Sequence, residues 1–363
     1  MAHDSLFEPV KMGTQTLKNR IIMAPLTRVR SIEPGDVPTP FAGEYYSQRA
    51  GAGLIIAEAT QVSFQAKGYA GAPGLHTQEQ IVAWKTVVDN VHAKGGKIVV
   101  QLWHTGLVSH KSVQPDGKAP ISASDVDVGI RTSLRDSDNQ AIRVDATPPR
   151  PATLDEIEQV IADFAQATKN AQEAGFDGIE IHGAHGYLIH QFHSPLSNLR
   201  VDEYGQDSAL FGEQVVAAIR EVVPVDMPLI MRVSAKEYVD GGYDAAYALE
   251  FCRRYKDAGV DMFHVSSGGE GPIGSNGGPN AGPAYQADLA EYIRSGLQVP
   301  VIAVGRLEAY SEAQSIIAEK RAELVAIGRG MLSDPYWALH AEEALGGVHD
   351  VPKPYERGIW KRG

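Results

Sequence analysis

The chain has 363 residues, of which 43% are apolar and 21% charged; that is enough for a full core and is a usual length for a (β/α)8 barrel with insertions. A formal net charge of -12 argues against a nucleic-acid partner, because phosphate binding needs a basic face. One cysteine, Cys252, excludes an internal disulfide; with no signal-peptide pattern and no apolar run of transmembrane length, a cytoplasmic protein with no membrane partner is expected.

Short apolar runs and amphipathic helices alternate along the chain. Residues 20–23 and 54–57 read as buried strands, the first closed by Pro25 and the second ending at Glu58. Residues 77–94 read as a helix: Thr77 and Gln80 make a capping box, Ile81, Trp84, Val88 and Val91 form one face, and Gly95 and Gly96 stop it. Residues 97–102 are the third strand, with Gln101, Trp103 and His104 at its exit. From about 109 to 150 turn residues replace apolar periodicity. Alternation at 130–134 and 141–144 around a polar turn predicts a hairpin lid there.

A second capping box, Thr153 with Glu156, opens a helix whose stripe is Leu154, Ile157, Val160, Ile161, Phe164 and Ala171, ended by Gly175. The strand holding Ile179 and Ile181 follows three residues later. Helices at 209–223, 245–258 and 312–320 then alternate with strands at 229–232, 261–265, 301–304 and 324–327. Eight strands that are continuously apolar indicate a parallel sheet covered on both faces, and right-handed crossovers favour its closure into a barrel. One domain, 1–363, with an insertion at 109–150 is expected. An open doubly wound sheet is the alternative, against which stands the lack of Gly-x-Gly-x-x-Gly after an early strand.

Active sites of such barrels lie at the strand exits. Here these are Pro25-Leu26-Thr27, Glu58-Ala59, Gln101, His182 with His185 and Tyr187, Arg232, Ser266-Ser267-Gly268, Gly305-Arg306 and Gly328-Arg329. Two imidazoles three residues apart, with a phenol two further on, can surround one oxygen atom and set a proton donor beside it. Two successive Gly-Arg exits point to a bound phosphate, though each glycine also serves a tight turn. No exit offers a Schiff-base lysine, and the exit acids do not cluster with histidines as a metal site would. The chemistry therefore points to a phosphate-anchored cofactor. His190 and His193 repeat the His-x-x-His spacing, but no carboxylate or cysteine completes a metal set, and His193 reads as a helix-face residue.

With the motifs Leu17-Lys-Asn-Arg-Ile-Ile-Met-Ala-Pro25, Gln101-Leu-Trp-His-Thr-Gly106, His182-Gly-Ala-His-Gly-Tyr187, Ser194-Pro-Leu-Ser-Asn198 and the two Gly-Arg exits, the chain resembles the old yellow enzymes, FMN-dependent ene-reductases, over essentially its whole length. The resemblance implies non-covalent FMN, with Pro25, Leu26, Thr27 and Ala59 against the ring and Gln101 on its pyrimidine edge. Arg232 would sit near N1 and O2, and Gly305, Arg306, Gly328 and Arg329 would hold the phosphate. His182 and His185 would hold the carbonyl or nitro oxygen of an activated alkene, with Tyr187 protonating the α-carbon opposite the hydride. NADPH or NADH would reload the flavin in the same site. Tyr69 and Trp103 would line the substrate pocket, although aromatics also serve as core.

Up to about residue 150 the chain is similar to the large-lid branch of that family. Its later part, with Arg232-Val-Ser-Ala-Lys-Glu-Tyr238, Val265-Ser-Ser-Gly-Gly269 and Tyr355-Glu-Arg-Gly358, is similar to the thermophilic-like branch, as a natural intermediate or a chimera would be. There the tail arginine, here Arg357, would reach a neighbour's pocket in a homodimer. Leu107 stands where the family has arginine, and residues 205–211 replace its Gly-Gly-Ser loop; both changes are expected to act on stability or loop packing first. The rival readings are an FMN-free, phosphate-binding lyase or isomerase using His182, and a non-catalytic binding barrel.

Overall fold

The computed structural model describes residues 5–13, 15–269, 281–346 and 357. Eight strands close into a barrel: β1 Ile21–Met23, β2 Leu54–Gln61, β3 Ile98–Trp103, β4 Ile179–Gly183, β5 Leu229–Ser234, β6 Met262–Ser266, β7 Val301–Val304 and β8 Leu324–Ile327. Every ladder is parallel and joins neighbours in this order, with β8 returning to β1. Side chains alternate across a strand, and here both faces are apolar. Ile22, Leu54, Ile56, Val99, Ile230, Met262, Ile302 and Leu324 fill the interior as one cluster. Ile21, Ile55, Ile98, Val100, Ile179, Ile181, Met231 and Val265 belong to a separate cluster that includes the helix faces. That double burial is why the strands read as unbroken apolar runs.

A short antiparallel hairpin, Val10–Met12 with Gln15–Leu17, was not foreseen. It plugs the end of the barrel opposite the strand exits: Met12 and Leu17 join the interior cluster, and Gln15 Nε2 donates to the Asp177 carbonyl at 2.7 Å, just before β4. Three-residue strands are too short for alternation to reveal.

Both capping boxes form, at the helices Gln78–His92 and Leu154–Ala174. Gly175, at φ 87, ends the second helix. Its stripe is narrower than expected: Ile157, Val160, Phe164 and Ala171 are buried, Ile161 is half-buried, and Leu154, in the first turn, is exposed. Arg150 also grips Glu156, and its hydrogen bond holds that carboxyl down at about 2. Thr153→Ala removes only the hydroxyl half of the box and is expected to lower unfolding free energy by about 1 kcal/mol. A shifted urea midpoint at unchanged slope is the check.

Two boundaries differ in an informative way. The helix expected at 312–320 spans Tyr310–Ala318, because Tyr310 packs edge-on against Trp337 at 5.0 Å and is drawn into the first turn. Strand β2 does not stop at Glu58. It pairs on through Gln61, with a register slip between Ala57 and Ala59. Such a bulge turns later side chains to the other face, so Leu54 and Ile56 point inward before it and Ala59, opposite Gln101, points inward after it. In the insertion, Arg131–Arg135 pairs with Ala141–Asp145 as the expected hairpin. It docks on the loop carrying Tyr69: Ala70 N donates to the Ser133 carbonyl at 2.9 Å, and Thr132 bonds the Gly68 carbonyl.

Candidate active site

Above the apolar interior lies a polar layer of Gln101 from β3, Glu180 from β4, Arg232 from β5 and His264 from β6. Glu180 is fully buried; it accepts from Gln101 Nε2 at 2.7 Å and meets His264 Nδ1 at 2.8 Å. A buried carboxylate needs such partners. Arg232 Nε and His264 Nε2 are buried without a partner among the described residues. Two acid–histidine pairs lie near the site that the exit residues did not announce, Glu180 with His264 and Glu237 with His190. The first pair sits one layer below the exits, and the second involves a loop beyond β5. Neither is a metal site: the described residues contain no group of three His, Cys, Asp or Glu able to hold an ion.

The second layer holds the predicted catalytic group. The His182 ring stands edge-on to His185 at 5.4 Å and to Tyr187 at 4.9 Å. Trp103 is near-parallel to His182 at 6.4 Å, stacks on Tyr69 at 5.5 Å and meets Tyr187 edge-on at 4.9 Å. The Tyr69 and Tyr187 hydroxyls are 3.3 Å apart. Ala184 N donates to His182 Nδ1 at 3.3 Å, so the neutral ring carries its proton on Nε2. His185 adopts φ 60 and is held by its own N–H, which donates to Ser234 Oγ at 3.0 Å. Its Nε2 lies 2.7 Å from Ser266 Oγ, whose hydrogen goes to Gln286 Oε1 at 3.1 Å. In that arrangement His185 donates to Ser266, and Nδ1 is left as an acceptor.

Burial, reinforced by the Arg232 charge, pushes both imidazoles well below their usual range. Burial also takes His104 down to about 3 and His193 well down. These four are neutral when folded and protonate when unfolded below about pH 6.5. The unfolded chain then binds more protons, so stability falls as pH drops through that value. Glu58 acts oppositely: burial pushes its carboxyl up to about 7, so the folded state binds its proton first and offsets one of the four. Burial lowers His76 and His264 as well, so the histidines outnumber Glu58 and stability is expected to fall as pH drops below about 6. Urea midpoints across that range check it.

Beside this layer opens a cavity of about 760 Å³ lined by Pro25, Leu26, His185, Tyr187, Arg232, Gly305, Arg306, Gly328 and Arg329, all predicted site residues. Gly305 is required by packing: at φ 114, an added Cβ would lie 2.3 Å from Gln286 Nε2. Gly328 is different, since an added Cβ meets nothing nearer than 3.8 Å. A tight turn therefore accounts for the first glycine, and an open cradle distinguishes the second. Ala59, Gln101, His182, Tyr69 and Trp103 are buried in the adjoining layers, whereas Thr27 is exposed and does not line the cavity. Arg357 is exposed, and the rest of the tail lies outside the described residues.

The sequence reading missed Tyr285 and Gln286, which line the cavity, and left the Ser266–Ser267 exit without a role. Gln286 accepts from both serines and donates to the Val304 carbonyl at 3.0 Å; a glutamine just ahead of a helix carries no signal of this. Glu58 was noted only as an exit. At the bulge it accepts from Arg28 N at 2.8 Å and so pins the loop that presents Pro25 and Leu26. Leu107 lies with Trp103 and Tyr187 in one apolar cluster, so an arginine there would enter the site itself as well as disturb packing.

The family model of the NADH:flavin oxidoreductase / NADH oxidase family matches residues 5–346. The chain belongs to this family. It is 38% identical to the NADPH dehydrogenase of Listeria innocua serovar 6a, over 98% of this chain and 99% of that one. It is 48% identical to 12-oxophytodienoate reductase 1 of Oryza sativa subsp. japonica, over 59% of this chain and 54% of that one. Morphinone reductase in complex with tetrahydroNAD superposes with a TM-score of 0.82 at 34% identity, covering 96% of this chain and 93% of that one. The protein is thus a barrel oxidoreductase of old yellow enzyme type, with FMN as cofactor and NAD(P)H as reductant. The FMN-free lyase and the non-catalytic barrel fall away. No helix among the described residues is long and apolar enough to cross a membrane.

Proposed function

We propose that this oxidoreductase is an ene-reductase acting on small molecules with an activated alkene: enones, enals, maleimides or nitroalkenes. The observation that carries the reading is the edge-on packing of the His182 ring, its proton on Nε2, against Tyr187, beside a cavity lined by Tyr187, His185 and Arg232. A neutral donor suits a carbonyl or nitro oxygen, which gains charge as the double bond is reduced. When bound, FMN supplies the hydride that it has received from NAD(P)H.

The residues present fit that cofactor. Arg232, with Nε unpartnered, offers a cation to the N1–O2 edge. Gln101 has an oxygen and one amide hydrogen to spare once Glu180 has taken the other, which suits the donor and acceptor of the pyrimidine edge. Gly305, Arg306, Gly328 and Arg329 would hold the phosphate, with Pro25, Leu26 and Ala59 against the ring; Thr27, exposed outside the cavity, does not share that place. His182 binds and polarises the substrate oxygen. His185 joins it once Ser266 turns its hydrogen from Gln286 to the imidazole, which frees a proton for Nδ1. Tyr187 delivers the proton to the α-carbon, and Tyr69 and Trp103 wall the pocket. The 131–145 hairpin acts as a lid over that wall. Mixed ancestry, natural or recombinant, is part of the same proposal. A homodimer with Arg357 at the partner's pocket belongs to the same reading and is checked by sedimentation.

The test is the visible spectrum of the purified protein, followed anaerobically on adding NADPH and then cyclohexenone. Bleaching by the first and recovery with the second supports the reading. Bleaching without recovery on any of the four acceptor classes would overturn it and leave an NAD(P)H:flavin oxidoreductase of another acceptor.

A further inference from the structure

The turn that presents His185 and Tyr187 is held from behind by a buried chain of polar groups in which the proposed reaction has no part. His185 and Gly186 both have positive φ, 60 and 79. Positive φ is free for Gly186 but costly for His185, which carries a side chain, so the turn at 185 persists only where surrounding groups hold it. The Gly186 N–H donates to His190 Nδ1 at 2.9 Å, and its carbonyl accepts from Gln191 Nε2 at 2.7 Å. His190 Nε2 in turn meets Glu237 Oε1 at 2.9 Å, with both side chains fully buried.

A second arm leaves the same carboxylate. Glu237 Oε2 accepts from the Tyr243 N–H at 3.0 Å, and the Tyr243 hydroxyl donates to the Ser234 carbonyl at 2.7 Å. Ser234 Oγ is the acceptor for the His185 N–H at 3.0 Å. Both arms therefore run from one buried carboxylate to the two peptide N–H groups of the turn, at residues 185 and 186.

The tautomer makes the link directional. Because Nδ1 of His190 accepts from Gly186, the ring hydrogen sits on Nε2 and is donated to Glu237. Without the carboxylate the buried Nε2–H loses its 2.9 Å acceptor, and only the Gly186 N–H still favours that tautomer. In the other, Nδ1–H would face the Gly186 N–H, donor against donor, and either the ring or the peptide must turn away.

We propose that Glu237 is a positioning residue for alkene reduction: through His190 and Tyr243 it fixes the His185–Gly186 turn, and so aims the Tyr187 hydroxyl and the His185 ring at the substrate. This rests on the ene-reductase reading, in which Tyr187 acts only when the alkene is reduced and not when NADPH is oxidised. A Glu237 that merely held the fold would affect both half-reactions alike.

The experiment uses the holoenzyme of Glu237→Gln in stopped-flow. The introduced amide keeps the size of the carboxylate but cannot accept from both His190 and Tyr243 through one oxygen. Bleaching by NADPH and reoxidation by ferricyanide, which needs no proton delivered to carbon, are expected within about twofold of the parent. Reoxidation by cyclohexenone is expected to fall roughly tenfold to a hundredfold, the scale of a misplaced catalytic group. Equal losses in all three rates, or an unchanged enone rate, would overturn the proposal. If Glu237→Gln does not fold, the link is tested at the next residue. His190→Gln, whose amide can accept from Gly186 and donate to Glu237, should keep most of the enone rate. His190→Leu should lose it, and equal rates in the two would overturn the proposal. Tyr187→Phe run alongside separates the two levels: if it reduces enone at the parent rate, the ene-reductase assignment of Tyr187 fails whatever Glu237→Gln does.

Discussion

Tyr187→Phe is expected to slow reoxidation by cyclohexenone by about a hundredfold or more, within the range for loss of a positioned general acid, while NADPH bleaches the protein at the parent rate. The substitution is close to isosteric. Tyr187 is 9% exposed, and its ring is fixed edge-on between Trp103 and His182, so phenylalanine keeps the packing and removes only the hydroxyl. What remains within reach is the Tyr69 hydroxyl, 3.3 Å from the lost one. It can pass a proton through a water in the vacated space, so the single variant retains some activity and Tyr69→Phe/Tyr187→Phe should retain less. Nitroalkenes supply an internal comparison, since a nitronate leaves the site and protonates in solvent. Their reoxidation rate should fall much less than that of the enone. A Tyr187→Phe variant slowed equally with both acceptors would place the proton donor elsewhere and make the hydroxyl a binding group.

What was legible in the sequence, and what was not, divides along one physical line. The barrel could be read because each strand is buried on both faces, so that Ile21 and Ile22, or Ile55 and Ile56, are apolar irrespective of parity. The insertion hairpin could be read because Arg131–Arg135 and Ala141–Asp145 alternate about a polar turn. Exit residues followed from the strands that carry them. The relations between strands were invisible. The slip at Glu58 leaves no mark on a continuous apolar run, yet it decides that Ala59 faces inward. Glu180 lies 84 residues from His264, and His190 lies 47 from Glu237. Only barrel closure brings them together, so reading each exit separately separated acids from the histidines they bind. Gln286 is the same case, placed by a loop whose preceding residues, 270–280, lie outside the described structure.

The largest asymmetry expected within the site is between its two histidines. His182→Ala should lower kcat/KM for cyclohexenone by a factor on the order of 10² to 10³, as the loss of one donor to a developing oxyanion does, and His185→Ala by less. The difference follows from what each ring already binds. His182 Nδ1 is occupied by the Ala184 N–H, so its one proton is committed to Nε2 without any rearrangement. His185 gives its Nε2 proton to Ser266 and can offer a donor at Nδ1 only if Ser266 releases Gln286. Ser267 remains on Gln286 at 2.7 Å after that release, so the rearrangement costs one hydrogen bond and leaves Gln286 anchored. Ser266→Ala would remove the acceptor at Nε2 and let His185 choose its tautomer freely, which should narrow the gap between the two alanine variants. Neither ring is an acid in this scheme, because burial and the Arg232 charge keep both neutral far below pH 7. The enone rate should therefore show no histidine ionisation between about pH 6 and 8. A break there that His182→Ala abolishes would mean that the ring carries a charge in the complex despite its burial and the neighbouring Arg232.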